Sequence, residues 1–214
     1  MGVIEINNLS KVIRKKEVLK EISFSFEEKK IYGIWGRNAS GKTMLLRAIA
    51  GLIRPTKGEV LLQGKRIHKD MSFPEGVGLI IENCGMLSDL TGYENLRLLA
   101  KIKKVATKED IRSALERVGL DPDDKRRIRA YSLGMKQKLA IAQAIFEKPN
   151  ILLLDEPTNA LDEESIKQIR NLLLEEKERG CTILVASHNK EDIEFLSDEV
   201  LLMSDGRLSR KETE

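Results

Sequence analysis

The segment GRNASGKT, residues 36 to 43, restricts the possible folds of this chain more than any other part of it. It follows the apolar run IYGIW at 31–35, and from 42 to 51 apolar residues recur every three or four positions. A glycine-rich turn between a buried strand and a helix directs backbone N–H groups and the positive end of the helix dipole to one point. The segment therefore predicts a binding site for phosphate groups.

The spacing within this segment matches GxxxxGK[ST], the phosphate-binding loop of nucleotide-binding proteins. We predict that a nucleoside triphosphate lies in the loop, with Lys42 reaching its β and γ phosphates and the Thr43 hydroxyl binding Mg²⁺. The alternative is a glycine-rich turn with an exposed lysine. The predicted nucleotide-binding residues of the loop are Gly36, Arg37, Asn38, Ala39, Ser40, Gly41, Lys42 and Thr43.

The rest of the chain alternates predicted strands with predicted helices, which is typical of a largely parallel sheet covered by helices. The apolar runs barely alternate with polar residues, so we expect strands buried on both faces. Residues 84–131 are charged, have helical periodicity and contain no convincing strand, so we predict a helical insertion within a single domain, 1–214. The predicted strands lie at 31–35, 59–64, 77–81, 151–155, 182–187 and 199–206, and the predicted helices at 42–51, 132–147 and 163–179.

A pair of acidic residues follows the apolar run at 151–154 in ILLLDEPTNALD. We expect this run to be a buried strand beside the strand at 31–35, so that Asp155 at its carboxyl end faces the metal. Glu156 comes next and is placed to polarise an attacking water molecule as a general base. The alternative for the pair is a helix N-cap followed by an acidic first turn.

Composition excludes several other classes of protein. The 37 basic and 34 acidic residues leave a formal net charge of +3, which does not favour nucleic acid as a partner. The sequence contains no run of about 18 apolar residues, so we predict no membrane span, and we also predict no signal peptide. Cys84 and Cys181 lie far apart, as expected of free thiols in a reducing compartment. We therefore expect a cytoplasmic protein that another subunit docks to a membrane.

The segment YSLGMKQKLAIAQAI, which begins at residue 131, resembles the LSGGQ signature of ABC ATPases. Ser132 and Gly134 are kept, while Leu133 and Met135 replace a glycine and a glutamine. Ser132 lies 90 residues after Lys42, a spacing similar to that of the family. A serine at this point is also expected simply to cap the helix that follows.

Two more segments resemble motifs of the same family. NALD at 159–162 is similar to the D-loop, with Asn159 where serine is more usual, and His188 follows an apolar run like the switch histidine that contacts the γ-phosphate. The resemblance covers nearly the whole chain. Its implied fold is α/β: a P-loop NTPase core with a mainly parallel sheet, an N-terminal antiparallel β subdomain and a helical insertion subdomain.

The resemblance implies an ATPase subunit that powers a membrane ABC transporter. Its cofactors would be ATP and Mg²⁺, and Glu156, His188 and Lys42 would be catalytic. Ser132 and Gly134 would contact the γ-phosphate of ATP held by a second subunit, so that ATP joins a homodimer or a heterodimer of related ATPases. The insertion at 84–131, near CGMLSDLTGYENL, would couple to a membrane permease, which places the chain on the cytoplasmic side of the membrane with no nucleic acid as partner.

The sequence departs from the family pattern at three positions. Glu82 stands where a glutamine is usual, and as a metal ligand it would attract Mg²⁺ but repel phosphate by a comparable energy, about 4 kcal/mol at 4 Å. Ile13 replaces the aromatic residue that stacks on adenine, which predicts modest base selectivity. Ala39 replaces a glycine, so we expect a negative φ there. Glu82 and the SLGMKQKL segment resemble the bacitracin and lantibiotic self-protection branch, which implies export of peptide or drug-like compounds.

Two other functions remain open from the sequence. One is a soluble ABC ATPase that acts on chromosomes or ribosomes, although such proteins carry long coiled coils or two cassettes that this chain lacks. The other is a P-loop kinase that phosphorylates a small molecule, which would leave the order of Ser132, Gly134 and His188 unexplained.

Overall fold

Two β-sheets and six α-helices make up the described part of the chain, residues 2–81 and 85–211 of a computed structural model. The larger sheet has six strands in the order β10-β9-β3-β8-β7-β6. Its strands are parallel except for β10, which is antiparallel to β9. The strands are β3 (Ile31–Trp35), β6 (Val77–Ile80), β7 (Ile151–Asp155), β8 (Thr182–Ser187), β9 (Glu199–Ser204) and β10 (Arg207–Arg210).

Central strands of this sheet are buried on both faces, which explains their uninterrupted apolar sequences. In β7, Ile151 and Leu153 face one hydrophobic cluster, whereas Leu152 and Leu154 face the other. The two clusters lie on opposite faces of the sheet because successive side chains of a strand point in opposite directions. The sheet therefore forms the middle layer between two cores.

A second sheet is antiparallel and has four strands in the order β2-β1-β4-β5. A tight turn at Arg14 and Lys15, both with positive φ, joins its first two strands. With the parallel sheet and the covering helices, this second sheet confirms the predicted α/β fold class. Its strands are β1 (Ile4–Ile13), β2 (Lys16–Phe26), β4 (Lys57–Leu62) and β5 (Lys65–Arg66).

The helices begin at recognisable N-caps. Thr91 and Thr107 form capping boxes with Glu94 and Asp110, and the Ser132 hydroxyl accepts a hydrogen bond from the Met135 N–H at 3.2 Å. None of the helices in residues 2–81 and 85–211 combines the length and apolar character needed to cross a bilayer. The helices are α1 (Lys42–Ile49), α2 (Gly92–Lys103), α3 (Lys108–Arg117), α4 (Leu133–Ile145), α5 (Glu163–Glu178) and α6 (Lys190–Leu196).

Helices α2 and α3 and a 3₁₀ turn at Ile128–Ala130 occupy residues 85–131, and no strand lies in this range. Apolar side chains of these helices join the same core as α4 and the parallel sheet; they include Leu96, Ile111 and Leu115. At the end of α3, Arg117 donates to the buried carboxylate of Glu176 on α5 at 2.6 Å. The helical segment is thus fastened to the core by apolar packing and by an ion pair.

Candidate nucleotide site

The glycine-rich loop connects β3 to α1, as its flanking sequence predicts. A Cβ atom added at Gly36 would lie 2.3 Å from the carbonyl oxygen of Met203, so only glycine fits beside β9. Gly41 is the N-cap of α1 and has a φ of 115°, which a side chain would disfavour. The first turn of α1 contains no acidic residue of its own, so the helix sequence does not offset the positive end of its dipole.

The expectation of a negative φ at Ala39 was wrong. Ala39 has a φ of 62°, in the left-handed region that favours glycine. The Ser40 N–H donates to the Arg37 carbonyl at 3.2 Å and closes a tight turn just before α1. The geometry of this turn therefore overrides the local preference of alanine, at a cost on the order of 1 kcal/mol.

The Lys42 ammonium lies against the loop that precedes it. Its Nζ donates to the carbonyl oxygens of Gly36 at 2.7 Å and Arg37 at 3.2 Å, and the side chain is 6% exposed. The same Nζ is 3.9 Å from Glu156 Oε1. A buried cation thus lies between the glycine-rich loop and the carboxylate predicted to be the general base.

The oxygen atoms predicted to bind a metal are close together. The Thr43 hydroxyl donates to Asp155 Oδ2 at 2.6 Å, which joins the first turn of α1 to the carboxyl end of β7. The expectation that β7 pairs with β3 was wrong, because β8 lies between them; α1 packs on both β8 and β7 and so still reaches Asp155. A hydroxyl and a carboxylate are hard oxygen ligands of the kind that Mg²⁺ prefers. These two residues fit the predicted cation, while Glu82, the third predicted ligand, lies outside the described residues.

Three donors orient the Glu156 carboxylate. Oε1 accepts from the His188 backbone N–H at 3.0 Å and contacts His188 Nδ1 at 2.8 Å, and Oε2 accepts from the Ser187 hydroxyl at 3.0 Å. An ionised carboxylate can only accept, so Nδ1 carries the proton in this contact. Glu156 and His188, each predicted to act at the γ-phosphate, are therefore adjacent.

Ser132 and Gly134 lie in a different part of the surface from the glycine-rich loop. They line a cavity of about 780 Å³ together with residues 160–162. Close packing favours the glycine, because a Cβ at Gly134 would lie 3.0 Å from the Ala160 carbonyl oxygen, a tight contact. Hydrogen bonds from Ser165 hold the pKa of Asp162, in the same cavity wall, below its usual value. Within one copy, these residues form a second surface.

Ile13, the residue predicted to cover the base, ends β1 at the tip of the first hairpin and is 39% exposed. The following strand passes close to the glycine-rich loop, since a Cβ added at Gly41 would lie 3.0 Å from the Val18 carbonyl oxygen. The hairpin that carries Ile13 is therefore anchored beside the start of α1.

Sequence reasoning missed several residues that hold the site. Ser187 could have been found as the neighbour of His188. Gln137, which hydrogen-bonds to the backbone beside Glu156, lies in the segment that resembles the signature but was given no role there. The buried Asp192, which accepts from Thr158 at 2.5 Å, belongs to no motif. Their partners become neighbours only when α4, α6 and the end of β7 pack together.

A phosphate-binding loop between β3 and α1, with two carboxylates at the carboxyl end of β7, defines a P-loop ATPase. A family model described as ABC transporter matches residues 19–159. The chain is 53% identical over 210 residues to the uncharacterized ABC transporter ATP-binding protein YybJ of Bacillus subtilis, covering 98% of this chain and 96% of that protein. The chain belongs to the ABC transporter family and is an ATP-binding, ATP-hydrolysing member of it.

Other relatives bear out the resemblance to the bacitracin and lantibiotic branch. The bacitracin transport ATP-binding protein BcrA of Enterococcus faecalis is 41% identical, over 96% of this chain and 68% of that protein. The lantibiotic transport ATP-binding protein SrtF of Streptococcus pyogenes is 31% identical, over 96% of this chain and 89% of that protein.

Solved structures support the fold. The dimeric, post-hydrolysis state of the ATP-binding cassette MJ0796, bound to ADP and Pi, is similar with a TM-score of 0.87 at 24% identity, covering 98% of both chains. At 24% identity, this similarity supports a shared fold and nothing further.

Proposed function

We propose that this chain is the ATPase subunit of a membrane exporter and that two copies, or one copy and a related ATPase, close on ATP. The observation that carries this proposal is the meeting of Lys42, Thr43, Asp155 and Glu156 at one point between α1 and β7. Nucleotide binding, metal binding and water activation each have a suitable group there.

In this proposal, the loop from Gly36 to Thr43 binds the phosphates through backbone N–H groups and the Lys42 ammonium. Thr43 and Asp155 hold Mg²⁺, which would neutralise charge on the phosphates. Glu156 accepts a proton from the attacking water, and its contacts with Ser187 and His188 aim the carboxylate.

Ser132 and Gly134 serve the nucleotide of the partner copy. Support comes from their position on a second surface, where the positive end of the α4 dipole meets solvent. Leu133, the first residue of that helix, is 70% exposed although it is apolar, as expected of a residue that becomes covered when two copies meet.

The helical insertion at 84–131 couples the ATPase to a permease. Large apolar side chains are exposed on its described part, most of all Ile102 at 76% and Val105 at 63%. Such residues favour a protein partner over water. The names of the bacitracin and lantibiotic transport relatives support peptide-like compounds as the exported class.

Phosphate release from ATP by the purified protein tests the ATPase proposal. Glu156→Gln is expected to lower turnover by about 10²-fold to 10⁴-fold, because a general base contributes that factor, while ATP affinity is retained. Glu178→Gln, the same change at an exposed residue ending α5, is the control and should turn over like the parent. Full turnover by Glu156→Gln, or phosphate transfer that requires an added acceptor, would contradict the proposal.

Capture of the tagged chain from membranes of its native host tests the permease proposal. An integral membrane protein should copurify, and replacing Ile102 with Glu should weaken the capture. A host strain carrying Glu156→Gln should become more sensitive to bacitracin or to a lantibiotic. Unchanged sensitivity to both classes would argue against peptide export.

A further inference from the structure

Gln137 joins the signature helix to the backbone of the catalytic carboxylate. It lies in the second turn of α4, and its Nε2 donates to the carbonyl oxygens of Pro157 at 2.9 Å and Glu156 at 3.3 Å. Both partners are acceptors, so the amino end of the amide must face them. The helix that begins at Ser132 is thereby hydrogen-bonded to the residue predicted to activate water.

The Glu156 backbone at this contact is strained. Its φ is 49°, in the left-handed region that non-glycine residues rarely adopt. The Glu156 N–H donates to the Ala186 carbonyl at 2.8 Å, and its carbonyl accepts from the Asn159 N–H at 3.2 Å. Strained backbone at functional sites persists only where several contacts hold it. Gln137 supplies the contact that comes from α4.

The Glu156 side chain is held from the opposite direction. Its carboxylate oxygens contact Ser187 and His188, which lie at the end of β8 and just after it. Glu156 is therefore fixed at its carboxylate by the β8 end and at its carbonyl by α4. A displacement of α4 relative to the sheet would move one set of contacts and leave the other in place.

We propose that Gln137 is a positioning residue that makes the orientation of the Glu156 carboxylate depend on the position of α4. The inference rests on the proposed function, in which the Ser132 end of α4 contacts the nucleotide of the partner copy. Closure of the two copies on that nucleotide fixes the position of α4. Through its hydrogen bonds, Gln137 then fixes the orientation of the Glu156 carboxylate in its own copy. Each site thus hydrolyses ATP fastest when the opposite site is filled, and hydrolysis is cooperative in ATP.

Steady-state ATP hydrolysis and ATP binding by Gln137→Leu test the inference, because leucine has a similar size and no donor. We expect kcat to fall by about fivefold to tenfold, the range for one lost hydrogen bond in the reacting state. The Hill coefficient should fall towards one, while ATP affinity in the absence of dimerisation stays within about twofold. Gln137→Glu should be slower still, since an ionised carboxylate would face two carbonyl oxygens.

Gln143→Leu is the matched control. Gln143 lies farther along α4 and lines a different cavity, with Leu99 and Ile102 of α2, so its replacement should leave kcat and the Hill coefficient unchanged. Gln137→Lys provides a rescue, because its ammonium can donate to the same carbonyls, and should stay within about threefold of the parent in kcat.

A melting curve is measured for every variant. If Gln137→Leu has a lower melting temperature than the parent, the kcat of Gln137→Lys becomes the deciding measurement. A parental kcat and Hill coefficient in Gln137→Leu would overturn the inference, and so would a lysine variant as slow as Gln137→Glu. A parent that hydrolyses ATP without cooperativity would overturn it as well. A parent that neither hydrolyses ATP nor dimerises would instead refute the proposed function.

Discussion

Replacing Asp192 with alanine should destabilise the protein more than any change at an exposed ion pair. Asp192 lies in the first turn of α6 and its side chain is 2% exposed. Its carboxylate accepts from the Thr158 hydroxyl at 2.5 Å and from Arg170 Nε at 2.9 Å, and the other nitrogen of the Arg170 fork contacts it too. The residue therefore ties α6 both to the segment after Glu156 and to α5.

The expected cost follows from the charge that the substitution leaves behind. Removing one partner of a buried ion pair costs about 3–5 kcal/mol, mainly because the other charge stays unpaired. The Arg170 side chain is 19% exposed and stacks 4.9 Å from the Phe195 ring, so water reaches part of it. We therefore expect the lower end, about 3 kcal/mol, or a fall of about 6–12 °C in melting temperature for a chain of this length.

Urea unfolding and thermal melting measure the effect, with Glu194→Ala as the control. Glu194 lies on the same helix in exposed pairs with Lys190 and Lys211, so its loss should cost no more than about 1 kcal/mol. The double variant Asp192→Ala with Arg170→Met should recover part of the stability, because no unpaired charge remains. A loss below about 1 kcal/mol in Asp192→Ala, or no recovery in the double variant, would refute the reasoning.

Three further changes have definite expected outcomes. Ser132→Ala removes the cap of α4 and should cost about 1 kcal/mol in thermal melting, whereas threonine should keep most of the stability. Burial raises the pKa of Cys181 from 9.0 to about 12, so between these pH values the folded state keeps a proton that the unfolded state loses. The free energy of unfolding of the parent should therefore fall between pH 9 and 12. The fall should be less steep in Cys181→Ala. With Ile13 in place of an aromatic ring, the affinity for GTP in a competition binding assay should lie within about tenfold of that for ATP. Strong rejection of GTP would contradict this. Ile13→Tyr should bind ATP more tightly, because its ring can stack on adenine.

Much of the parallel sheet could be predicted because its strands and helices have strong local patterns. β3, β7 and β8 are apolar runs buried on both faces, and α1, α4 and α5 repeat apolar residues at helical spacing. Helix α6 was not predicted, since it has seven residues and a mostly charged sequence, and α6 depends on a buried aspartate for its packing. The short strand β10 is stabilised by pairing with β9, which its own residues do not reveal.

The candidate site divides in the same way. Lys42, Thr43 and Asp155 belong to motifs whose spacing already fixes a strand, a turn and a helix, so their contacts could be expected. The left-handed backbone of Ala39 and of Glu156 could not be predicted, because tertiary contacts override the intrinsic conformational preference of each residue. A hydrogen bond such as that from Gln137 to the Pro157 carbonyl depends on where α4 lies relative to the segment that follows β7, which no local pattern encodes.

The central claim is that ATP joins two copies by lying between the glycine-rich loop of one and the Ser132 helix end of the other. Light scattering of Glu156→Gln with magnesium and ATP measures this directly, since slow hydrolysis should preserve the closed form. The account predicts a doubled molar mass with ATP, and a single-copy mass when Ser132→Arg is added while ATP still binds. A single-copy mass in Glu156→Gln at saturating ATP, or a doubled mass that Ser132→Arg leaves intact, would contradict it.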